Sequence, residues 1–255
     1  NKEDYNISIK EAKKKINRRT KAIIAPHMFG YPADIDELKN LGVYIIEDCA
    51  HSIGAEYKGK KVGSWGDLSI FSFEGTKYIV TGEGGMVLAN SSSLVDRLRK
   101  LKDPNSLDYK TKYTYRMTNL QAAIGRVQLA QLNNFVKKRR EIAKAYDNVF
   151  CNFNIGLPKR SPDKLHVFHR YMITINKGIN KFMLRCYQKG VKVKRPIKPF
   201  LLNKYLGLPN KDFPDSAYIM KSAVSIPIYP TLSQKEKSSI IEIICQELKK
   251  LGLCK

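Results

Sequence analysis

Three short apolar runs, each ending where polar or glycine-rich sequence begins, constrain the fold of this chain most. They are Val43–Ile46, Leu68–Phe71 and Gly85–Ala89. Short continuous runs rich in β-branched residues are typical of buried strands in a parallel sheet. Because open α/β sheets bind ligands at the carboxyl ends of their strands, the residues that follow these runs are candidates for a shared site. The sequence therefore predicts an α/β fold with a mostly parallel sheet.

Asp48 and Lys77 carry the most distinctive chemistry at that predicted edge. Asp48 belongs to the acidic pair Glu47-Asp48 that ends the first run, and Lys77 lies on a tight loop after the second. A lysine amine can form a Schiff base with an aldehyde cofactor, and a nearby carboxylate can support that chemistry. Each residue also has an ordinary interpretation, since a lone lysine after a strand is usually solvated and an aspartate there often caps a turn.

The ordered motifs around these two residues resemble the DegT/StrS-type sugar aminotransferases, which are fold type I enzymes that use pyridoxal 5'-phosphate (PLP). The resemblance covers nearly the whole chain and rests on Thr20–Ile24, Pro26–Gly30, Glu47–His51, Gly63–Asp67, Phe71–Lys77, Gly82–Gly85, Arg116–Ala123 and Ser225–Pro230. It implies a PLP-transferase fold type I. The remainder of the large, PLP-binding domain would occupy residues 1–134, and a smaller C-terminal α+β domain would occupy residues 135–255.

The resemblance implies a role in the PLP site for four residues. The lysine at the position of Lys77 holds the cofactor through a Schiff base and later moves protons between substrate and cofactor carbons. Asp48 matches the carboxylate that pairs with the pyridine nitrogen, which makes the ring a better electron sink. His51 matches a position that touches the ring or its phenolic oxygen. Ser72 matches a hydroxyl donor to the cofactor phosphate.

Two further residues are candidates for the site. Thr114 stands where the resembling enzymes often carry an asparagine that reaches the cofactor phosphate of a partner subunit, so the resemblance implies a homodimer. A threonine hydroxyl can still donate a hydrogen bond, but its reach is shorter. Arg195 lies in a basic segment that matches the border of the substrate pocket, and it is a candidate partner for a substrate phosphate. An ordinary surface arginine fits that position equally well.

The implied reaction is transfer of an amino group, with glutamate as the expected donor, to a keto group of a nucleotide-linked deoxy sugar. The loop that carries Lys77 and the following Gly82–Gly85 favour the C4 position of the sugar. Related dehydratases carry histidine at the lysine position, so Lys77 argues against that branch. The family's chains extend about a hundred residues further on the amino-terminal side. We therefore expect an N-terminal segment or a partner chain to complete the pocket.

Two alternatives stay open on the sequence alone. The first is a non-catalytic homologue that binds a nucleotide sugar or scaffolds a complex. The second is a basic protein that binds nucleic acid or a membrane surface, because Lys and Arg number 46 against 23 Asp and Glu, a formal charge of +23. Such a charge also suits an anionic nucleotide diphosphate. No nucleic-acid-binding module is recognisable, which argues against a nucleic-acid partner.

The remaining sequence features bound the cellular context and the helices. The sequence contains no membrane-spanning apolar run, and its five cysteines lack metal-ligand spacing, so we expect a cytoplasmic protein with reduced thiols and no metal. Asp34 and the serines at 91–93 are predicted helix caps. From Asn119 the apolar spacing predicts a long helix with a break before Tyr146. Core packing is the first interpretation of this apolar pattern, and a dimer face is the second.

Overall fold

The computed structural model describes residues 1–103, 105, 113, 115–197 and 201–255. Its contacts divide the chain into two compact units. The sheet unit consists of Ile7–Asn133 with Asp163–Leu165, and the helical unit consists of Asn1–Asn6, Asn134–Pro162 and His166–Lys255. The main division falls beside the predicted boundary at residues 134 and 135. The assignment of one function to each domain stays a prediction.

The described elements begin with alternating helices and strands, continue with five consecutive strands and become mainly helical after them. In chain order they are α1 (Ile9–Lys15), β1 (Ala22–Pro26), α2 (Ile35–Lys39), β2 (Tyr44–Asp48), β3 (Glu56–Tyr57), β4 (Lys60–Lys61), β5 (Leu68–Ser72), β6 (Gly85–Ala89), α3 (Ser92–Lys102), α4 (Asn119–Ala130), α5 (Leu132–Phe150), β7 (Lys164–Leu165), β8 (Tyr171–Thr174), α6 (Ile179–Gln188), α7 (Leu202–Tyr205), α8 (Pro214–Ser222), β9 (Ala223–Ile226) and α9 (Gln234–Lys250).

The main sheet has the strand order β1-β2-β5-β6. The first three strands are parallel, and β6 is antiparallel to β5. The predicted mostly parallel sheet is therefore confirmed, with an antiparallel strand at one edge. In the register, Asp48 lies beside both Pro26 and Ile70, so β1, β2 and β5 end at the same edge. This places Asp48 and the residues that follow β5 together.

The two faces of this sheet differ in burial. Alternate residues such as Ile23 and Ile45 are buried, as are Ile35 and Leu38 of α2. Paired residues in neighbouring strands point to the same face, so the register defines the other face as well. That face exposes large apolar side chains, and we call it the open face, defined by Ile24, Tyr44, Ile70 and Val87. Asp48 and Ser72 lie on this face by the same alternation.

The helical unit has one apolar core. Tyr146 and Phe150 of α5 pack with Tyr171 of β8, with the rings of Tyr146 and Tyr171 5.0 Å apart. The two-stranded sheet of β8 and β9 and the helices α6 and α9 complete this core. The buried Arg139 guanidinium donates to the carbonyls of Phe168, His169 and Ile228, which closes loops around the core.

The helix ends show which capping predictions hold. Asp34 stands at the start of α2 but makes no capping hydrogen bond, because its carboxylate instead pairs with Lys164 at 2.5 Å. Ser91 likewise begins α3 without a side-chain cap. These two capping predictions were wrong.

The predicted break in the long helix is confirmed at Gln131, between α4 and α5. In the part of the chain that is described, no helix is long and apolar enough to cross a membrane.

Candidate active site

The Asp48 carboxylate lies at the end of β2 and is half-buried. One of its oxygens, Oδ1, accepts a hydrogen bond from the Ala50 amide at 3.0 Å, which fixes the carboxylate against the following turn. Its other oxygen, Oδ2, has no hydrogen-bond partner among the described residues. The carboxylate is therefore held in place while one oxygen stays available to a donor from a ligand.

Lys77 lies on a closed loop that follows β5. The loop is pinned at its base because the Thr81 amide donates to the Phe73 carbonyl at 2.9 Å. Inside the loop, the Lys77 amide donates to the Glu74 carbonyl, and the buried side chain of Tyr78 anchors the far side. The half-buried Lys77 amine makes no hydrogen bond or ion pair with any described residue. A rigid loop thus presents an uncommitted amine at the sheet edge.

Ser72 and His51 complete the set of sequence-predicted residues in the sheet unit. Ser72 ends β5 two residues beyond Ile70, the register partner of Asp48, which puts the Ser72 and Asp48 Cα atoms about 8 Å apart on one face. The Ser72 hydroxyl only accepts a long hydrogen bond, 3.5 Å, from the Glu74 amide, so its proton is free to be donated. His51 follows β2 and stacks on Phe29, with the ring centroids 6.1 Å apart.

The glycine-rich turn after Lys77 has the conformation that its sequence predicts. Gly82 and Gly84 have φ angles of 83° and 147°, which glycine adopts without the strain that other residues would incur. Glu83 shapes the turn through its carbonyl, which accepts from the Thr81 hydroxyl at 2.7 Å and from the Gln121 amide group at 3.0 Å. The turn therefore ties the Lys77 loop to α4.

A buried pair, His27 and Glu47, supports the sheet edge from behind. His27 accepts a hydrogen bond from the Ala33 amide at Nδ1, so its Nε2 carries the proton and donates to Glu47 at 3.0 Å. The amides of Gly63 and Gly66 also donate to Glu47. Burial raises the pKa of Glu47, but hydrogen bonds from His27, Gly66 and Gly63 outweigh it and hold that pKa below its usual value. The pair is a structural support directly beside Asp48.

The same pair belongs to the one cluster of possible metal ligands found among the described residues. Ligand atoms of His27, Glu47 and Cys49 lie within 4.8 Å of one another. Both ring nitrogens of His27 are already used in hydrogen bonds, and burial, with the charge of Glu47, keeps the Cys49 thiol protonated by raising its pKa. This cluster is therefore a hydrogen-bonded part of the fold.

The structure does not bring all six candidate residues together. Asp48, His51, Ser72 and Lys77 lie in the sheet unit at the ends of β2 and β5. Thr114 lies outside the described residues. Arg195 belongs to the helical unit, where its guanidinium donates to the carbonyls of Met220 and Lys221 and to the Asn180 side chain. These contacts favour the structural interpretation of Arg195.

Three of the four residues in the sheet unit have the donors and acceptors that PLP needs. An aldehyde needs a free primary amine, and Lys77 has one. A pyridinium N–H needs an acceptor, and Asp48 Oδ2 is unpartnered. A phosphate needs hydrogen-bond donors, and the Ser72 hydroxyl has a proton to give. The donor and acceptor types therefore match those of the cofactor at each position.

The comparisons with known proteins decide the family. The model of the DegT/DnrJ/EryC1/StrS aminotransferase family matches residues 1–245. The chain belongs to this family. PLP is the family's cofactor, and the fold is that of its PLP-dependent enzymes. The crystal structure of DesV from S. venezuelae, in complex with a ketimine intermediate, has a TM-score of 0.91 at 26% identity and covers 98% of this chain and 71% of that one.

Two curated relatives have names that describe nucleotide-linked sugars. GDP-perosamine synthase of Vibrio cholerae is 41% identical over 68% of this chain and 49% of its own length. The dTDP-3-amino-3,6-dideoxy-alpha-D-galactopyranose transaminase of Aneurinibacillus thermoaerophilus is 34% identical over 94% of this chain and 69% of its own length. The chain thus spans between half and seven tenths of the length of these relatives.

Sequence reasoning missed two features of the fold that bear on function. The first is the His27–Glu47 pair, whose residues stand in the matched motifs but whose contact depends on the register of β1 and β2. The second is Arg170, a charged residue directly before the apolar strand β8. The signal that could have found Arg170 is the charge itself, because a guanidinium inside an apolar stretch needs a partner.

Proposed function

We propose that this protein is a PLP-dependent aminotransferase that moves an amino group from glutamate to a keto group, at C4, of a nucleotide-linked deoxy sugar. One observation supports the catalytic part most directly: the uncommitted Lys77 amine and the unpartnered Asp48 Oδ2 lie after neighbouring parallel strands of the same sheet. The relatives named for nucleotide-linked sugars support the substrate class. The formal charge of +23 suits a substrate that carries a diphosphate.

Each site residue has a separate task in this proposal. Bound PLP supplies an electron sink for the substrate carbon that loses or gains a proton. Lys77 would hold the cofactor through its amine and would carry that proton. Asp48 accepts the hydrogen bond of the protonated ring nitrogen and is held for this by the Ala50 amide. Ser72 donates to the phosphate, and His51, backed by the ring of Phe29, orients the cofactor ring.

The open face of the sheet supports the proposal that a further polypeptide segment completes the site. Ile24 and Tyr44 are 62% and 66% exposed, and the same face carries Asp48 and Ser72. Contiguous exposed apolar surface of this kind marks a place where another element packs. A segment on this face would supply the second wall of the cofactor pocket.

Helix α4 supports the proposal of a homodimer. Leu120, Ile124 and Val127 share one face of the helix at helical spacing, and all three are exposed. No residue of α4 is buried. A second copy of the chain would cover this stripe, and the contact would join the two subunits next to the turn that holds the Lys77 loop.

We also propose a cytoplasmic location. The five cysteines are all free thiols, which suits a reducing compartment. Nucleotide-linked sugars as substrates point the same way, since the proposed donor and acceptor are both small soluble molecules.

The experiment that tests the proposed function is reductive trapping of the cofactor. The complete product of the gene is incubated with PLP, reduced with borohydride and mapped by peptide mass spectrometry. We expect a pyridoxyl group on Lys77, and we expect Lys77→Arg to abolish it while Lys39→Arg, at an exposed lysine of α2, retains it. Amino transfer from glutamate to 4-keto and 3-keto nucleotide sugars is then compared in the same preparation.

The outcomes separate the alternatives. An adduct at Lys77 with turnover of the 4-keto sugar supports the proposal in full, and preference for the 3-keto sugar corrects its regiochemistry. An adduct that persists in Lys77→Arg contradicts the assigned role of Lys77. Binding of the nucleotide sugar without any adduct would instead identify a non-catalytic homologue.

A further inference from the structure

Arg170 is a half-buried guanidinium without a partner among the described residues. It lies directly before β8 in the helical unit, and its Nε is inaccessible to solvent and makes no hydrogen bond. The residue makes no ion pair or ring contact with any described residue either. Burial lowers the pKa of Arg170, but an arginine keeps its charge at every physiological pH. A fixed positive charge is therefore kept partly out of water, and no described residue neutralises it.

The other partly buried arginines of this unit show how the fold normally treats such a group. Arg139 donates to three backbone carbonyls, and Arg195 donates to two carbonyls and an asparagine. Both guanidinium groups are thus engaged by the polypeptide itself. Removing a guanidinium from water is costly unless it is paired, so a fold that leaves Arg170 unpaired gains nothing from it structurally.

Two carboxylates of the helical unit, Asp147 and Glu247, pair with other residues and not with Arg170. Asp147 accepts from the Tyr171 hydroxyl at 2.7 Å and pairs through its other oxygen with Arg160. The buried Glu247 pairs through Oε1 with Lys189 at 2.9 Å and with Lys250 at 3.2 Å. No carboxylate among the described residues pairs with Arg170, so its charge is available to a group from outside the described chain.

We infer that Arg170 binds an oxyanion of a substrate, a phosphate or a carboxylate, through its planar guanidinium. This inference rests on the proposed function, which supplies one source of each kind: the diphosphate of the nucleotide sugar and the carboxylates of the amino donor. A guanidinium offers a fork of parallel N–H donors that matches both oxyanions. Arg170 thereby replaces Arg195, whose donors are engaged, as the arginine that positions a substrate anion.

Binding of two probes without PLP tests this inference. Inorganic pyrophosphate and L-glutamate are each titrated by calorimetry into the wild-type protein, Arg170→Met, Arg170→Lys and the control Arg97→Met, at an exposed arginine of α3. We expect wild type to bind at least one probe and Arg170→Met to bind it at least about tenfold more weakly. Arg170→Lys, which keeps the charge but loses the fork, should fall between them, and Arg97→Met should match wild type.

The two probes distinguish the sources of the anion. Selective loss of pyrophosphate binding assigns Arg170 to the nucleotide sugar, and selective loss of glutamate binding assigns it to the amino donor. Stability provides the second readout, because removing an unpaired charge should leave the unfolding midpoint of the ligand-free protein unchanged or raised. The inference is overturned if wild type binds neither probe, if Arg170→Met binds both as wild type does, or if Arg170→Met unfolds at markedly lower denaturant.

Failure of this inference is distinguishable from failure of the proposed function. The calorimetric titrations contain no PLP and do not require Lys77, whereas reductive trapping at Lys77 does not require Arg170. A Lys77 adduct together with unchanged binding in Arg170→Met would remove only the role of Arg170.

Discussion

The carboxylate of Glu47 is the most heavily hydrogen-bonded side chain at the candidate site. It accepts from the His27 ring and from three backbone amides, those of Gly63, Trp65 and Gly66. These donors come from two different segments of the sheet unit, so the carboxylate fixes the end of β2 against the loop before β5. The position of Asp48, the next residue, depends on this anchor.

Substitution of Glu47 should therefore lower stability and change its pH dependence. The pKa of Glu47 lies below its usual value, so its contribution is present above the unfolded pKa of about 4.3 and is lost as pH falls through the lower folded pKa. We expect Glu47→Gln to cost about 3 kcal/mol at pH 7, with a smaller difference from wild type in strongly acidic solution. Urea unfolding at pH 7 and at acidic pH measures both effects.

The exposed Glu37 of α2 provides the matched control. Glu37→Gln should unfold like wild type at both pH values, since exposed carboxylates contribute little. Equal stability of Glu47→Gln and wild type at pH 7, or a difference that grows in acid, would show that the hydrogen bonds to Glu47 do not stabilise the fold.

Single residues were predictable from the sequence where local motifs carry them. Asp48 ends the strand β2, and the parallel register of β2 and β5 puts the ends of these two strands at one edge of the sheet. The roles of Asp48 and Lys77 in the PLP site stay predictions. The free state of the Lys77 amine and the missing partner of Arg170 were not predictable, because both depend on which groups distant parts of the chain bring near. Thr114 lies outside the described residues, so its cross-subunit role stays a prediction.

At the scale of elements, α4 is a helix with an apolar stripe and no buried residue. Leu120 and Val127 are 73% and 71% exposed, although its capping box, formed by Thr118 and Gln121, is complete. The helix therefore begins with a complete cap, while its apolar face is exposed to solvent. The sequence predicted core packing first and a dimer face second for this spacing, and the exposure of the stripe favours the second interpretation.

We expect aspartates at Leu120 and Val127 together to convert the dimer to a monomer. Charges in the centre of an apolar interface cost several kcal/mol, so association should weaken by at least about a hundredfold. Light scattering coupled to gel filtration measures the mass. Arg126→Asp, at an exposed position of the same helix outside the stripe, is the control and should remain dimeric.

A wild-type protein that is monomeric at micromolar concentration would contradict the proposed dimer. A double aspartate variant that stays dimeric would show that the α4 stripe is not the interface. Because both side chains are exposed in the single chain, the double variant should keep the unfolding free energy of the monomer within about 1 kcal/mol.

Helix starts illustrate why element boundaries were predictable only in part. A serine or aspartate before an apolar run predicts a cap, and Ser233 before α9 forms a full capping box with Glu236. Asp34 fits the same pattern but pairs with Lys164, which β7 brings to it from about 130 residues further along the chain. Tertiary contacts of this kind compete with local capping and cannot be read from neighbouring residues.

On the scale of the whole molecule, the open face leaves one side of the main sheet without a covering layer among the described residues. Its four defining residues, Ile24, Tyr44, Ile70 and Val87, are between 36% and 66% exposed. We expect Ile70→Lys with Val87→Lys to leave the unfolding free energy of residues 1–255 within about 1 kcal/mol of wild type, because exposed positions tolerate charge. The same pair should reduce the binding of a hydrophobic dye and the tendency to aggregate.

Two comparisons test this prediction. Ile45→Lys, on the buried face of the same sheet, should prevent folding, since an unpaired ammonium would replace a core side chain. In the complete product of the gene, the double variant Ile70→Lys with Val87→Lys should be several kcal/mol less stable than wild type. It should also fail to form the pyridoxyl adduct at Lys77, because the proposed segment packs on this face. If the pair destabilises residues 1–255 as severely as Ile45→Lys does, the face is already covered within this chain. If the pair leaves the complete product unchanged, no segment packs there, and the second wall of the cofactor pocket must come from elsewhere.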